Sequence, residues 1–258
     1  MTSKYNFKYF FISTISFVIL SISNVMAEEF EAVLGWSKRV ELSTSVNGLV
    51  DKVFAQSGKI VAKGEVLVRL DPRAFKADLK YAKAKLDNTN GKSLEAKREL
   101  DRQLDMYDRS MLSEHDLQVA QNNYSTAQSN YLQAQAALTK AKLNLEYSAI
   151  RTPFNAIVIN STAVKGQVVA SDITPPILVV VAEAQRMLAR FYADENKVKE
   201  LVLNQGVAVS VAGETYQGKV LNLALETDVS KLGHYAVDVI FDSKNTILRA
   251  GQKAKLSL

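Results

Sequence analysis

The 258-residue chain contains no cysteine. That excludes disulfides, thiolate metal sites, cysteine nucleophiles and a lipid-modified N-terminal cysteine. Histidine is almost as scarce: His115 and His234 are the only two, they are not at ligand spacing, and both read as surface residues rather than metal ligands. No glycine-rich phosphate loop and no nucleophile motif occurs. Asp194-Glu195 is the ordinary acidic first turn of a helix rather than a catalytic pair. Met106 and Met111 are better read as packing residues than as soft-metal ligands. The chain is therefore expected to be no enzyme, with no metal and no cofactor. Charge of one sign is also lacking: 32 basic and 27 acidic residues leave a net charge of +5. The lysines spread along one helix as a solvated face, so no nucleic-acid partner is implied.

Proline and glycine are missing where it matters most. Residues 73–152 contain no proline and only one glycine, Gly91. Within this stretch Leu117, Tyr124, Tyr131, Leu138 and Leu145 recur every seven residues, and Ala120, Ala127, Ala134 and Ala141 follow three residues after the first four. That is a heptad seam with alanine at one core position, which lets helix backbones approach closely. The preceding arm carries the same period, with Leu79, Leu86, Ser93, Leu100 and Tyr107 at one position and Phe75, Ala82, Thr89 and Ala96 at the other. Between the arms lies 109–113, and Ser113 with Asp116 forms an N-cap box using Asp in place of Glu. Asp71-Pro72 supplies the first arm's start, as an N-cap followed by Pro at the first helical position. The expectation is an antiparallel coiled-coil hairpin over 72–147, about 45–55 Å long.

Long hydrophobic runs are absent except at the N-terminus. Lys4 and Lys8 precede an apolar run at 9–22, followed by Val25-Met26-Ala27. A basic region, an apolar core and small residues at the exit define a secretory signal peptide, residues 1–27, cleaved after Ala27. Losing Lys4 and Lys8 lowers the net charge from +5 to +3.

The remaining sequence reads as strands. Residues 28–45 alternate loosely and lead into the β-domains. Residues 46–71 and 148–182 are two halves of one small domain. Gly48-Leu49-Val50 matches Ala156-Ile157-Val158, and the same offset carries Gly58 to Gly166, Ile60 to Val168 and Val61 to Val169. Residues 183–258 form a β-barrel of about six strands with one helix from Asp194 to Leu203, Gly213 and Gly218 bracketing a hairpin.

This order of parts resembles the periplasmic adaptor, or membrane fusion protein, family of tripartite efflux pumps, of RND-type and HlyD-like members. The resemblance rests on the split motif VNGLVDKVFAQSGKIVAKGEVLVRLD and AIRTPFNAIV, on the inserted hairpin and on LRAGQKAKLSL at the end. It implies an α+β fold: a long coiled-coil hairpin inserted in a lipoyl-like β-domain, followed by a small β-barrel. It implies that the chain links an inner-membrane transporter to a TolC-like outer-membrane channel for efflux of small molecules. The protein is expected in the periplasm of a Gram-negative bacterium, assembled as a ring, a hexamer as the resemblance implies, and held at the inner membrane through the transporter. An RND-type transporter is favoured, because the tip spacing and the single short hairpin resemble those adaptors. An ATP-driven exporter or type I secretion system is the alternative, and a structural envelope coiled-coil protein without a transporter is the second. Family members that dock on TolC-like channels carry R-x3-L-x6-S near the tip. Here Arg102, Met106 and Ser113 stand at that spacing, with Met in place of Leu. Asn155-Ala156 replaces the family's Asp-Gly. A membrane-proximal domain is expected to be absent. Lys76 and Lys80 lack the context of a lipoyl or biotinyl attachment site.

Overall fold

A computed structural model describes residues 28–170, 175–228, 231–244 and 246–258. The signal peptide and its cleavage point lie outside the described residues. The elements in order are β1 (Glu29–Trp36), β2 (Arg39–Leu42), β3 (Gly48–Val53), β4 (Ile60–Val61), β5 (Val66–Leu70), α1 (Arg73–Asp108), α2 (Glu114–Tyr147), β6 (Ala149–Arg151), β7 (Ala156–Ser161), β8 (Val168–Val169), β9 (Val179–Glu183), β10 (Arg186–Asp194), α3 (Glu195–Glu200), β11 (Gly206–Val211), β12 (Glu214–Thr227), β13 (His234–Asp242) and β14 (Lys253–Ser257). The fold is mixed α and β, with a barrel, a sandwich and a pair of long helices.

The barrel closes in the order β1-β10-β13-β12-β11-β14. Alternation along each strand fills it: Met187, Ala189, Phe191 and Ala193 of β10 point inward and meet Val237, Val239 and Phe241 of β13. Phe30 and Phe191 lie with ring centroids 5.0 Å apart. Only five of the six strands come from residues beyond 183. The sixth is β1, whose Glu29 pairs with Ser257 across almost the whole chain. Gly218 is not a turn residue as expected but lies inside β12, where a Cβ would come within 2.7 Å of Val239 Cγ1 and 3.0 Å of Val209 Cγ2. The barrel wall is too close there for any side chain. Helix α3 is also shorter than expected, because Leu201 turns extended at ψ 141°.

The sandwich is two four-stranded sheets, β2-β9-β7-β4 and β6-β5-β3-β8. Its halves are related residue by residue. Gly58 N donates to Val158 O at 2.8 Å, and Gly166 N donates to Val50 O at 2.9 Å; Val158 N donates to Lys59 O at 2.9 Å, and Val50 N to Gln167 O at 2.9 Å. Gly58 and Gly166 sit at φ 85° and 86°, which a residue with a Cβ rarely adopts. Each two-residue strand, β4 or β8, pairs with the other half, so neither half can close its sheet alone. Leu67, Leu70, Val158, Leu178 and Val181 fill the space between the sheets.

The helices leave from and return to this sandwich. Strand β5 runs into α1, α2 runs into β6, and β5 pairs with β6 through Val68↔Ile150 and Arg69↔Ala149. Leu70 N donates to Ser148 O at 2.8 Å, and Thr44 Oγ1 donates to Tyr147 O at 3.0 Å. The first arm begins one residue later than the sequence suggests. Pro72 is its N-cap, and Asp71 Oδ1 accepts from Arg73 N at 3.0 Å.

Candidate functional site

Helices α1 and α2, of 36 and 34 residues, extend about 54 and 51 Å at 1.5 Å per residue. They pack along a narrow seam whose buried residues are Ala82, Thr89, Ser93 and Leu100 on α1 and Leu117, Ala120, Ala134 and Ala141 on α2. Their register is fixed by Ser93 Oγ, which donates to Gln128 Oε1 at 2.8 Å, and by Lys97 Nζ, 5.8 Å from the Tyr124 ring centroid. The seam changes near the tip. Tyr107, expected within it, is 39% exposed, and Leu104 and Leu112 pack instead against Leu100, Leu117 and Ala120.

The turn between the helices is made by backbone. Ser110 takes φ 59°, Ser110 N donates to Tyr107 O at 2.8 Å, and Met111 N donates to Met106 O at 2.9 Å. Ser113 opens α2 by accepting from Asp116 N at 3.2 Å, while its hydroxyl donates to Asp116 Oδ2 at 2.6 Å. The box is therefore closed between side chains, with Asp116 too short to reach back to the Ser113 amide. Arg102 and Met106 stand one turn apart on α1, followed by Arg109, so the three share one stripe. The Arg102 guanidinium is 63% exposed and lies 3.0 Å from Glu99 of its own helix. Arg109 pairs with Asp105 at 2.9 Å. Met106 is half-buried and Ser113 exposed. No hydrogen bond joins Arg102 to Ser113 among the described residues, so the turn brings the two to one end of the hairpin without linking them.

Exposed pairs of this kind are worth about 0–1 kcal/mol, so Arg102 can exchange Glu99 for another carboxylate or carbonyl at little cost. The first arm has three more such pairs: Glu95–Arg98 at 2.6 Å, Asp105–Arg109, and Lys97 with Asp101. The Asp101 carboxylate beside Lys97 raises that ammonium above its ordinary pKa. Met111, expected to pack, is instead 68% exposed in the turn between the helices. At the hairpin's root, the Arg73 guanidinium, 2.5 Å from Asp71, holds that carboxyl down at about 2.

Among the described residues no group of three or more His, Cys, Asp or Glu side chains could hold a metal ion. No described helix is long and apolar enough to cross a membrane. His115 and His234 are both exposed. The chemistry on offer is that of a surface: a charged, narrow helical end about 50 Å from a sandwich core.

A two-sheet sandwich split by a helical hairpin and continued by a closed barrel defines the class of membrane fusion proteins. Residues 38–181 match the model of the CzcB-like barrel-sandwich hybrid domain, more than half of the chain, and the chain belongs to that family. It is homologous to MacA and other membrane fusion, or periplasmic adaptor, proteins. It is 26% identical over 191 residues to the macrolide export protein MacA of Yersinia pestis, covering 69% of this chain and 52% of that protein. The chain thus spans about half the length of that curated relative. MacA from Actinobacillus actinomycetemcomitans has the same fold, with TM-score 0.70 at 21% identity over 90% of this chain and 78% of that one. So does a MacA-MexA chimera carrying the α-hairpin domain of Pseudomonas aeruginosa MexA, with TM-score 0.66 at 24% identity over 89% of this chain and 77% of that one.

Proposed function

We propose that this protein is a non-catalytic periplasmic adaptor that links an inner-membrane transporter to a TolC-like outer-membrane channel for efflux of small molecules. The observation that carries this is the hairpin itself. Both ends are tied into neighbouring strands of one sandwich, so the helices form an arm that presents its tip far from the β-modules. An arm rooted at both ends, with a narrow, charged and exposed tip, is suited to contact with another protein. The name of its curated relative, a macrolide export protein, agrees with this use.

In this proposal residues 72–147 are a coiled-coil arm, 46–71 with 148–182 are the lipoyl-like sandwich, and 183–258 with the strand from 28–45 are the barrel. The signal peptide is removed after Ala27, and the mature chain works in the periplasm. Arg102 and Ser113 supply polar contacts to the channel's helical tip, and Met106 supplies an apolar one. Copies assemble into a ring, taken as a hexamer. The barrel meets the transporter, RND-type being favoured. The barrel end away from the sandwich supports that contact, because Leu225 and Leu232 in the β12–β13 hairpin are 94% and 79% exposed.

The test is channel crosslinking and drug susceptibility in cells carrying Arg102→Asp. Charge reversal at a desolvated contact costs several kcal/mol. Crosslinking and resistance both fall, with protein level unchanged. Unchanged helix content by circular dichroism shows that the arm itself is intact in Arg102→Asp. If Arg102→Asp leaves both readouts intact, the tip is not the docking site.

A further inference from the structure

Two stretches of chain cross between sandwich and barrel: Ser37-Lys38 from β1 to β2, and Ala184-Gln185 from β9 to β10. The crossings are tied to each other. Glu183 N donates to Lys38 O at 3.0 Å, and the Ser37 hydroxyl donates between Glu183 Oε2 at 2.9 Å and Arg186 O at 2.8 Å. Beside them lies a crevice of about 480 Å³. The sandwich supplies Ile60 and Val61 of β4 and Asn155 from just before β7; the barrel supplies Lys244 and Ile247 from the loop between β13 and β14. Strand β4 is an edge of its sheet, so its outer side has no neighbouring strand. The barrel loop is pinned to the second crossing by Ser243 N, which donates to Gln185 O at 2.9 Å, and it turns at Lys244 with φ 54°.

The lining combines apolar surface with uncommitted donors. Ile60 and Ile247, one from each module, are 57% and 55% exposed. Asn155 Oδ1 accepts from Lys63 N at 2.9 Å, and Asn155 O accepts from Ala184 N at 3.1 Å. Both oxygens of Asn155 are thus engaged, and what it has left to offer the crevice is its amide nitrogen with two hydrogens. Lys244 is exposed and has no ion-pair partner among the described residues. None of the described residues that line the crevice is acidic. Asp242, whose carboxylate accepts from the Lys244 amide at 2.7 Å, lines a separate hollow with Lys63, Glu183 and Arg186. The crevice therefore presents an apolar floor, one positive charge and amide donors, which is complementary to an apolar molecule bearing a carboxylate.

We propose that this crevice binds a small apolar carboxylate of the medium-chain fatty-acid kind. The carboxylate meets Lys244 Nζ and Asn155 Nδ2, and the hydrocarbon body lies between Ile60 and Ile247. Each module supplies part of the contact, so the ligand bridges sandwich and barrel and narrows the range of angles between them. The occupant is a free molecule rather than a membrane lipid. A volume of about 480 Å³ lies within the range of single small-molecule pockets, about 300–1,000 Å³, and leaves no room for a two-chain lipid. This goes beyond the adaptor reading and depends neither on the hairpin tip nor on any partner protein.

Titration calorimetry of the purified full-length protein tests the site, with decanoate below its micellar concentration as the probe. Decanoate binds saturably at one site per chain. Decylamine, with the same body and the opposite charge, and acetate, with the charge and no body, bind at least about tenfold more weakly. Lys244→Asn removes the charge and keeps a residue type that tolerates a positive φ; it weakens decanoate about tenfold. Ile60→Asp, at an exposed edge position, does the same from the other module. Absence of saturable binding, equal binding of decylamine, or unchanged affinity in both variants overturns the proposal. So does attachment to phosphatidylglycerol vesicles with no response to decanoate, which assigns the lysine to a membrane surface. The lack of native cysteine allows the bridging to be read directly. Nitroxide labels on exposed Lys165→Cys of the sandwich and Lys253→Cys of the barrel give a distance distribution that narrows when decanoate saturates the protein. An unchanged distribution at saturation overturns the bridge. Arg102→Asp binds decanoate as the unaltered chain does, so loss of channel crosslinking and loss of this site are distinguishable.

Discussion

The β-modules and the hairpin hold together in different ways. The barrel core includes large, wholly sheltered side chains, Phe191 at 1% exposure and Leu256 at 0%. In the hairpin the most sheltered residues are mainly small: Ala82, Ala120, Ala134 and Ala141, with Thr89 and Ser93. Its leucines Leu100 and Leu117 gather near the tip. A two-helix seam of this kind buries little apolar surface per residue, so close backbone approach and anchorage at both ends must supply the order. The difference separates tasks. The β-modules carry the stability, and the arm keeps most of its surface free for other proteins.

The largest break in that comparison comes from the barrel. Phe191→Ala removes a fully buried ring that touches Phe30 and costs about 3–5 kcal/mol. Denaturant unfolding checks it, with fluorescence of the single tryptophan, Trp36 of β1, reporting the barrel and far-ultraviolet circular dichroism the helices. The barrel signal is lost at lower denaturant, while helix content is retained until the sandwich unfolds. Simultaneous loss of both signals would mean that the modules are one cooperative unit and that stability is not divided as stated.

A middle-sized effect is expected from the seam. Ala134 is 4% exposed and stands level with Asp87 of the other arm. Ala134→Leu puts three more carbons into a buried seam position, and costs about 1–3 kcal/mol through overpacking. The loss falls on the helical signal and leaves the barrel transition in place. A neutral or stabilising result would show that the arms have room between them, and that alanine is there for another reason.

Parts of this arrangement are legible in sequence for physical reasons. A seven-residue period with alanine three residues after each large residue has no other economical structure, so both helices are readable at a glance. The repeat is readable because Gly58 and Gly166 occupy the same positive-φ corner in each half, and a tight turn leaves few residue choices. The sixth barrel strand is not, because β1 has no local signal for its partners, and its pairing with β14 spans the chain. Gly218 misleads for a related reason: a glycine excluded by close packing looks like a glycine required by a turn. The seam's move from Tyr107 to Leu104 follows from the turn at Ser110, whose strain is set by both helices at once. Around the candidate site, Arg102, Met106 and Ser113 are picked out by likeness to the family's tip motif. The register of the arms cannot be read in this way, since it depends on contacts such as Ser93 with Gln128 across the hairpin.

The smallest expected effect lies where the two regions join. Asp71 ends the strand-to-helix link, and its carboxylate accepts from the Arg73 amide at 3.0 Å and from that residue's guanidinium. These bonds favour the charged form, lowering its pKa from 3.8 to about 2. A carboxyl whose folded pKa is depressed contributes stability that is complete above its unfolded value and disappears as pH falls through the folded one. The tie at the root is therefore intact at neutral pH and loosens only between about pH 4 and about pH 2. Both partners meet solvent, so the global stability changes little, and the group itself is the better observable. A carboxyl titration by nuclear magnetic resonance gives a midpoint at about 2 for Asp71, and Arg73→Ala moves it back towards 3.8. A midpoint already near 3.8 in the unaltered chain would mean that the ion pair does not form in solution. The arm would then be rooted by the β5–β6 pairing, by the Leu70 and Thr44 hydrogen bonds and by Phe75 packed against the sandwich core.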